Sequence, residues 1–294
     1  MQELPTAFIH NYTIHQSPFT KIIHQATNYL NNSDNKKQKM TSETIIRRED
    51  EQGSAPAMHH SGSITSIADI RTLNAAEQQV LDTRPAKNYA PHSPFLQKDS
   101  TLTNFCSANG GARILFATDE WFAAADNILK DDDPLFDPLA FCEQGKVMDG
   151  WETRRRREVG HDWCLVQLSK RATHLVGIEI DTAHFTGNNV PRISLQVADL
   201  SCEDETDLVK NIPGIVQRLL HGCQQGTGCT PEEVAQANNA CSRVNWKELL
   251  PQTPLAPGYE ASRMRYFEIS AQEVPLTATH LKINYYPDGG VARL

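Results

Sequence analysis

The sequence predicts an all-β protein, an antiparallel β-sandwich interrupted by one helical insertion. Apolar residues recur at every second position in several short segments, as they do in strands that bury one face. Turn-forming residues separate these segments from one another. A stretch at about 208–243 has helical spacing instead, and it lies between predicted strands. These three observations together favour a sandwich with a helical insertion.

The strand predictions rest on short apolar runs bounded by turns. The first run follows two glycines and is compact, which is typical of a buried strand. Another places Val176, Ile178 and Ile180 on one face at period two. In chain order, the predicted strands are 112–118, 163–168, 174–181, 193–197, 265–269 and 281–286.

The remaining segments have other signals. Inside the insertion, Thr230 is a suitable N-cap residue and Pro231 fits the first turn of a helix. Residues 1–94 are polar for most of their length and are predicted to form a mostly disordered or extended leader. A short amphipathic helix at 64–82 is left open, because apolar residues there have roughly helical spacing. The ordered module is expected at 95–294.

Composition argues against two classes of partner. The 294 residues carry a formal net charge of −8, which does not favour nucleic acid, and no run of about 18 apolar residues could cross a membrane. The seven cysteines are scattered without a Cys-x-x-Cys pair, so a zinc site of the usual spacing is not expected. Scattered thiols indicate a reducing compartment. We expect a cytoplasmic protein; a peroxisomal location stays open, although the chain does not end in Ser-Lys-Leu.

One segment combines acidic, basic and aromatic residues in a pattern that a folded core does not need. It contains Asp149, Trp151, Glu152, Arg154 and Arg155. An arginine can grip a carboxylate with two parallel hydrogen bonds, and a neighbouring carboxylate can accept N–H bonds or move a proton. Four adjacent arginines are more often a solvated basic run. Here the flanking tryptophan and glycine favour a binding site.

A second candidate pair lies where a predicted strand ends. Asp181 could orient or charge His184 and so form a proton carrier near neutral pH. Equally, Asp181 could cap the turn while His184 packs locally. His161 and Asp162 form a similar pair, for which we favour a structural role. These alternatives are not separated by the residues alone.

Near the end of the chain, a Pro-Asp-Gly-Gly turn precedes Arg293. This arginine either pairs with Asp288 or binds an anion. Neither motif alone names a reaction.

Taken together, six motifs in order resemble those of the allantoicase (allantoate amidinohydrolase) family. The resemblance covers roughly residues 95–294 apart from the insertion. The motifs are Leu-Phe-Ala-Thr-Asp-Glu-Trp-Phe-Ala at 115–123, Gly-Lys-Val-Met-Asp-Gly-Trp-Glu-Thr-Arg-Arg at 145–155, Gly-His-Asp-Trp at 160–163, Glu-Ile-Asp-Thr-Ala-His-Phe-Thr-Gly-Asn at 179–188, Trp-Lys-Glu-Leu-Leu-Pro at 246–251 and Tyr-Pro-Asp-Gly-Gly-Val-Ala-Arg at 286–293.

This resemblance implies a galactose-binding-like jelly roll and hydrolysis of allantoate to ureidoglycolate and urea, in purine and allantoin degradation. The family typically carries two such modules in tandem, and this chain has residues for one. The alternatives are therefore a non-catalytic small-ligand-binding jelly-roll module and a truncated pseudoenzyme that lacks the second repeat. We also expect a homo-oligomer, because a half-length member has a reason to self-associate.

The resemblance and the residue chemistry together assign the candidate site, which we expect to form one shared hollow for the small-molecule substrate allantoate. No metal ligand is assigned and no cofactor is certain; a divalent ion held by the acidic residues and the histidine stays open. The predicted catalytic residues are Glu152, Asp181 and His184, and the predicted substrate-binding residues are Asp149, Trp151, Arg154, Arg155, Asn188 and Arg293.

Overall fold

The main sheet of the protein has five strands, all antiparallel to their neighbours, in the order β1-β6-β12-β8-β10. Four two-stranded antiparallel pairs accompany it: β7 with β11, β5 with β13, β2 with β9, and β3 with β4. The strands are β1 Arg113–Ala117, β2 Asp119–Glu120, β3 Phe141–Cys142, β4 Gly145–Lys146, β5 Trp151–Glu152, β6 Asp162–Ala172, β7 Gly177–Asp181, β8 Arg192–Ala198, β9 Thr227–Gly228, β10 Lys247–Pro254, β11 Met264–Glu268, β12 Ala278–Tyr286 and β13 Gly290–Val291.

These elements come from a computed structural model. The predicted leader at 1–94 and its helix at 64–82 lie outside the described residues. The described residues are 95, 101–222, 225–269 and 276–294.

The two layers of the sandwich share one apolar core. Ile178 and Ile180 of β7 belong to the same buried cluster as Val166, Leu195 and Leu281 of the main sheet. Neighbours in the main sheet are mostly not neighbours in sequence, so the chain crosses between the layers, as in a jelly roll. The predicted all-β jelly-roll β-sandwich with a helical insertion is confirmed.

All six predicted strands are present, with shifted ends, and sequence reasoning missed the six two-residue strands and the longer strand β10. Two prolines, Pro251 and Pro254, weaken the strand signal there. The strand lies at an edge of the main sheet, where its register against β8 shifts twice. Prolines are tolerated at such an edge because one side of the strand needs no partner.

The helical insertion contains three helices: α1 Cys202–Asn211, α2 Ile215–His221 and α3 Pro231–Cys241. Thr230 caps α3 as predicted, since its side chain accepts from the Glu233 amide. The first helix begins several residues before the predicted start of the insertion. Its signal is a capping box of Ser201 and Asp204 rather than an apolar stripe.

In the part of the chain that the structure describes, no helix has the length and apolar character that a membrane crossing requires. A single turn of 3-10 helix at Ala125–Leu129 follows β2 and packs on the core.

Candidate active site

The site is built around Glu152 on the short strand β5. Its main chain is held on both sides: Gly290 of β13 pairs with it on one side, and Ala123 pairs with it on the other. Two hydrogen bonds of 3.2 Å join Ala123 and Glu152, one from each amide to the other carbonyl. Residues 118–123, which follow β1, are called the rim segment below.

Beside Glu152 lies a cavity of about 370 Å³, called the site cavity. Its size is within the range of cavities that bind small molecules. Its walls combine apolar surface, including Phe122 of the rim segment, with charged and amide side chains. The charged and polar lining residues are Glu152, Thr153, Arg155, Asn188, Asn189, Arg192 and Asp288.

The Glu152 carboxyl is a buried acid that forms no ion pair with any of the described residues. Only 9% of the residue is exposed, and its Oε1 accepts a hydrogen bond of 2.6 Å from Asn188 Nδ2. Burial raises the pKa of Glu152, and the hydrogen bond from the neutral amide opposes that shift without cancelling it. A carboxyl group with a raised pKa can take up and release a proton nearer to neutral pH.

Arginines stand at the mouth of the site cavity. The Arg155 side chain is 79% exposed, with Nε 3.7 Å from Asp288 Oδ1. The other oxygen of Asp288 accepts a hydrogen bond of 2.9 Å from the Arg156 amide, which fixes the carboxylate. Arg192, at the start of β8, lines the same cavity. The arrangement offers positive charge to an anion entering beside Glu152.

Sequence reasoning missed Phe122, Thr153, Asn189 and Arg192 as cavity residues. A signal was available for Arg192, because it lies shortly after Asn188 and directly before the predicted strand 193–197. Phe122 lies in the motif at 115–123, but nothing local shows that the rim segment pairs with β5.

Arg154 points away from the site cavity. Its Nε and Nη2 both lie 2.6 Å from Asp119 Oδ2, and its guanidinium lies 5.0 Å from the centre of the Trp121 ring. The structure therefore gives this arginine a local packing role instead of the predicted contact with substrate.

Trp151 lies in the core and cannot contact a ligand. It is fully buried, and its ring centre is 4.1 Å from that of Tyr285. Its Nε1 donates to the Asp119 carbonyl at 2.8 Å. Neighbouring residues of a strand point to opposite faces, and the Trp151 side chain takes the core side, so it does not line the site cavity.

Asp181, His184 and Arg293 line a different cavity, of about 800 Å³. The one shared hollow expected from the sequence is therefore two separate cavities. Glu152, Asn188 and Arg155 are brought together in the smaller one, while the predicted Asp181–His184 pair faces the larger one.

Asp181 has the turn-forming role that was one of its two predicted alternatives. Its Oδ1 accepts from the Ala183 amide at 2.8 Å, and its Oδ2 lies 3.3 Å from Arg263 Nη2. Burial raises the pKa of Asp181, and the charge of Arg263 opposes the rise. Within the described residues, no hydrogen bond joins Asp181 to His184.

His184 packs locally. It has a positive φ of 68°, its ring stacks on Phe136 with centres 5.2 Å apart, and its Nε2 lies 3.2 Å from the Pro134 carbonyl oxygen. Among the described residues, these contacts and not a hydrogen bond to a carboxylate hold the ring, unlike the arrangement expected of the predicted proton carrier.

Asp149 and Arg293 satisfy each other. Arg293 Nη2 lies 2.6 Å from Asp149 Oδ2, while Lys130 Nζ and the Leu135 amide donate to the same carboxylate at 2.7 Å and 3.0 Å. Burial alone raises the pKa of Asp149, but these hydrogen bonds outweigh it and lower the pKa to about 2. Arg293 also donates to the main-chain carbonyls of Asp132 and Asp149. The side chains of Asp149 and Arg293, both predicted to bind substrate, are thus bonded to other groups of the protein.

Among the described residues, no three His, Cys, Asp or Glu side chains come close enough to hold a metal ion. The four side chains that sequence analysis left open as ligands do not converge: Glu152 lines one cavity, Asp181 and His184 line the other, and Asp149 is paired with Arg293.

Comparison with known proteins agrees with the motifs. A family model described as the allantoicase repeat matches residues 103–294. The chain belongs to the allantoicase family. "Probable allantoicase 2" of Burkholderia mallei is 35% identical to it over 204 residues, which are 69% of this chain and 47% of the relative. "Probable allantoicase" of Rhizobium meliloti is 34% identical over 191 residues, covering 65% of this chain and 43% of the relative.

Solved allantoicase structures are also similar. One described as "Structure of allantoicase" is 26% identical with a TM-score of 0.43, covering 64% of this chain and 45% of the other. Allantoicase from Saccharomyces cerevisiae is 24% identical with a TM-score of 0.43, covering 78% and 52% of the two chains. The chain of this allantoicase-family member spans about half the length of the curated relatives that it matches.

Proposed function

We propose that this allantoicase-family chain hydrolyses allantoate to ureidoglycolate and urea in purine degradation, and that the reaction takes place in the site cavity. The observation that carries the proposal is the Glu152 carboxyl: buried, raised in pKa, bonded by a neutral amide and facing a cavity with arginines at its mouth. A carboxyl group in that setting is suited to proton transfer.

Allantoate has one carboxylate and two ureido groups on the same carbon, and each group has a counterpart in the cavity. Arg155, with Arg192, is suited to the carboxylate, because guanidinium groups bind carboxylates with two parallel hydrogen bonds. Asn188 and the Glu152 oxygen that Asn188 does not bind are suited to the polar atoms of a ureido group.

The proton transfers of the hydrolysis need one group that can both accept and donate. The bond between the central carbon and one ureido nitrogen breaks, the water oxygen bonds to that carbon, and the departing nitrogen gains a proton to leave as urea. In our proposal Glu152 takes the proton of the attacking water and returns it to the departing nitrogen. Arg155 holds the carboxylate so that the reacting carbon lies against Glu152.

The test is a urea-release assay with allantoate on the full chain and on Glu152→Gln. We expect kcat/KM to fall at least about 100-fold, which is typical of losing a general acid–base. Glu205→Gln is the matched control: Glu205 is half-buried and, like Glu152, has a pKa raised by burial and accepts from a side-chain amide, that of Gln167, but it lies outside the site cavity.

The control variant should retain activity within about threefold of wild type, since most substitutions away from a site have small effects. Equal losses of kcat/KM in both variants would contradict the proposed role of Glu152 in proton transfer. Allantoate binding by calorimetry without urea release would favour the second candidate, a non-catalytic ligand-binding module. The half-length match to the relatives is the observation that keeps that candidate in view.

Two finer statements belong to the same proposal. A cytoplasmic location is supported by free thiols at the six described cysteines, which suit a reducing compartment. We also propose that the chain self-associates into a homo-oligomer, the commonest kind of assembly among oligomeric proteins. Sedimentation velocity at micromolar concentration checks the second statement, and a monomer would contradict it.

A further inference from the structure

We infer that the helical insertion positions Glu152 through the rim segment, and that Arg218 on α2 is the positioning residue of this connection. The inference rests on the proposed function for its effect on the reaction. Arg218 itself lies outside the motifs of the family resemblance and lines neither cavity.

Arg218 joins three elements that precede the site. Its side chain is only 11% exposed, and its guanidinium forms ion pairs with both Glu120 of the rim segment and Asp126 of the 3-10 helix. One Glu120 pair is the 3.0 Å bond from Nη2 to Oε1. Nε also donates to the Ile114 carbonyl of β1 at 3.1 Å. A buried guanidinium with partners on three elements restrains all of them at once.

Main-chain bonds from the insertion hold the same segment. Strand β9 pairs with β2, so that Gly228 faces Asp119 and Thr227 faces Glu120. The Cys229 amide donates to the Thr118 carbonyl at 2.9 Å. The loop before β9 adds bonds to the next carbonyls of the rim segment: the Gly226 amide to those of residues 120 and 121, and the Gln225 side chain to that of residue 122.

The opposite edge of the rim segment carries the site. Ala123 exchanges two main-chain hydrogen bonds with Glu152, and Phe122 lines the site cavity. Asp119 accepts from the Arg154 amide at 2.9 Å and from the Trp151 indole at 2.8 Å. The rim segment therefore lies between the insertion and the strand that carries Glu152, and a shift on one edge is passed to the other.

The chemical consequence is a dependence of the reaction on a residue that does not touch the substrate. A displacement of a reacting group by about 1 Å can reduce a rate about 100-fold. Loss of Arg218 should therefore lower kcat through Glu152, with a smaller effect on KM through Phe122.

The test compares Arg218→Met, which keeps the apolar stem and removes the charge, with Arg218→Lys. Leu208→Ala is the control, because it opens a cavity in α1 of the same insertion at a side chain that is 2% exposed. Two quantities are measured well below each melting temperature: kcat and KM for urea release from allantoate, and hydrogen exchange of the Ala123 and Glu152 amides.

We expect Arg218→Met to lower kcat at least about 10-fold and to speed exchange at both amides at least about 10-fold, with Arg218→Lys intermediate. Leu208→Ala should change neither by more than about threefold. Arg218→Met and Leu208→Ala giving the same values would overturn the inference, as would faster exchange with unchanged kcat. Should Arg218→Met not fold, Arg218→Lys is judged by the same comparison. If the wild-type chain releases no urea, the proposed function fails, while the exchange rates at Ala123 and Glu152 still decide whether Arg218 holds the strand.

Discussion

Glu152 and Asp149 are three residues apart in sequence, yet their carboxyl groups lie in opposite surroundings. The Glu152 carboxylate faces the site cavity and accepts one side-chain hydrogen bond, from the neutral amide of Asn188. The Asp149 carboxylate is enclosed by Arg293, Lys130 and the Leu135 amide. Burial raises the pKa of the first, whereas in the second the hydrogen bonds from cations and amide outweigh burial and lower the pKa to about 2.

This contrast distinguishes acidic side chains suited to proton transfer from those that stabilise the fold. A carboxylate already neutralised by cations stabilises the fold and has little left to offer a ligand. A carboxylate kept away from cations is costly to ionise and is available for proton transfer. Substitutions at the two acids, at Arg155 and at His184 test this contrast, from the largest expected effect to the smallest.

Asp149→Asn should lower the free energy of unfolding by about 2–3 kcal/mol at pH 7, because it leaves the buried Arg293 guanidinium without its carboxylate. Guanidinium chloride denaturation measures this. The pKa of Asp149 is lowered in the folded state, so its contribution is present above pH 3.8 and is lost as the pH falls towards about 2. A stable but inactive Asp149→Asn protein would place this acid in the site and break the comparison.

Arg155→Met should raise KM for allantoate about 10-fold, since the exposed guanidinium is the proposed partner of the substrate carboxylate. Its free energy of unfolding should stay within about 0.5 kcal/mol of wild type, as is usual for exposed residues. Arg171→Met is a control with another exposed arginine, which pairs with Asp199 outside the site cavity. Equal KM values for the two variants would contradict the assignment.

Glu152→Gln should be as stable as wild type at pH 8, or more stable by up to about 1 kcal/mol, even though it loses activity. The pKa of Glu152 is raised in the folded state above its ordinary value of 4.5. Its contribution to stability is therefore present at low pH and is lost as the pH rises through the folded pKa. Denaturation at pH 4 and pH 8 should show the stability of the variant relative to wild type improving with pH, the reverse of Asp149→Asn.

His184→Asn should change kcat/KM by less than about threefold and stability by about 0.5 kcal/mol. Asparagine tolerates the positive φ of this position, so the main loss is the stacking contact with Phe136. Steady-state assays and thermal melting check both values. A 100-fold loss of kcat/KM would support His184 as a proton carrier and would mean that the larger cavity takes part in the reaction.

How far the sequence predicted the site depended on whether a signal was local. Glu152, Arg155 and Asn188 were predicted from motifs, and all three line the site cavity. The other six predicted residues come from the same motifs and were chosen by chemical type, without knowledge of where each side chain points. Trp151 and Glu152 are adjacent, but one packs against Tyr285 and the other lines the cavity.

The fold was more predictable than the site for the same reason. Short apolar runs bounded by turns, two of them with a period of two, act within a strand, and all six strands predicted from such runs are present. The β10 strand was missed because its two prolines weaken the strand signal. They are tolerated in this strand because it lies at an edge of the sheet.

By itself, the sequence determined six of the strands, the Thr230 cap of α3, the family and the short motif that carries Glu152, because each is encoded by neighbouring residues. Only the tertiary structure decided which charged side chains form ion pairs with each other. Asp149 meets Arg293 across 144 positions, and Arg218 meets Glu120 across 98. Electrostatic partners depend on distance in space, and a chain that crosses between two layers brings together residues that no local pattern connects.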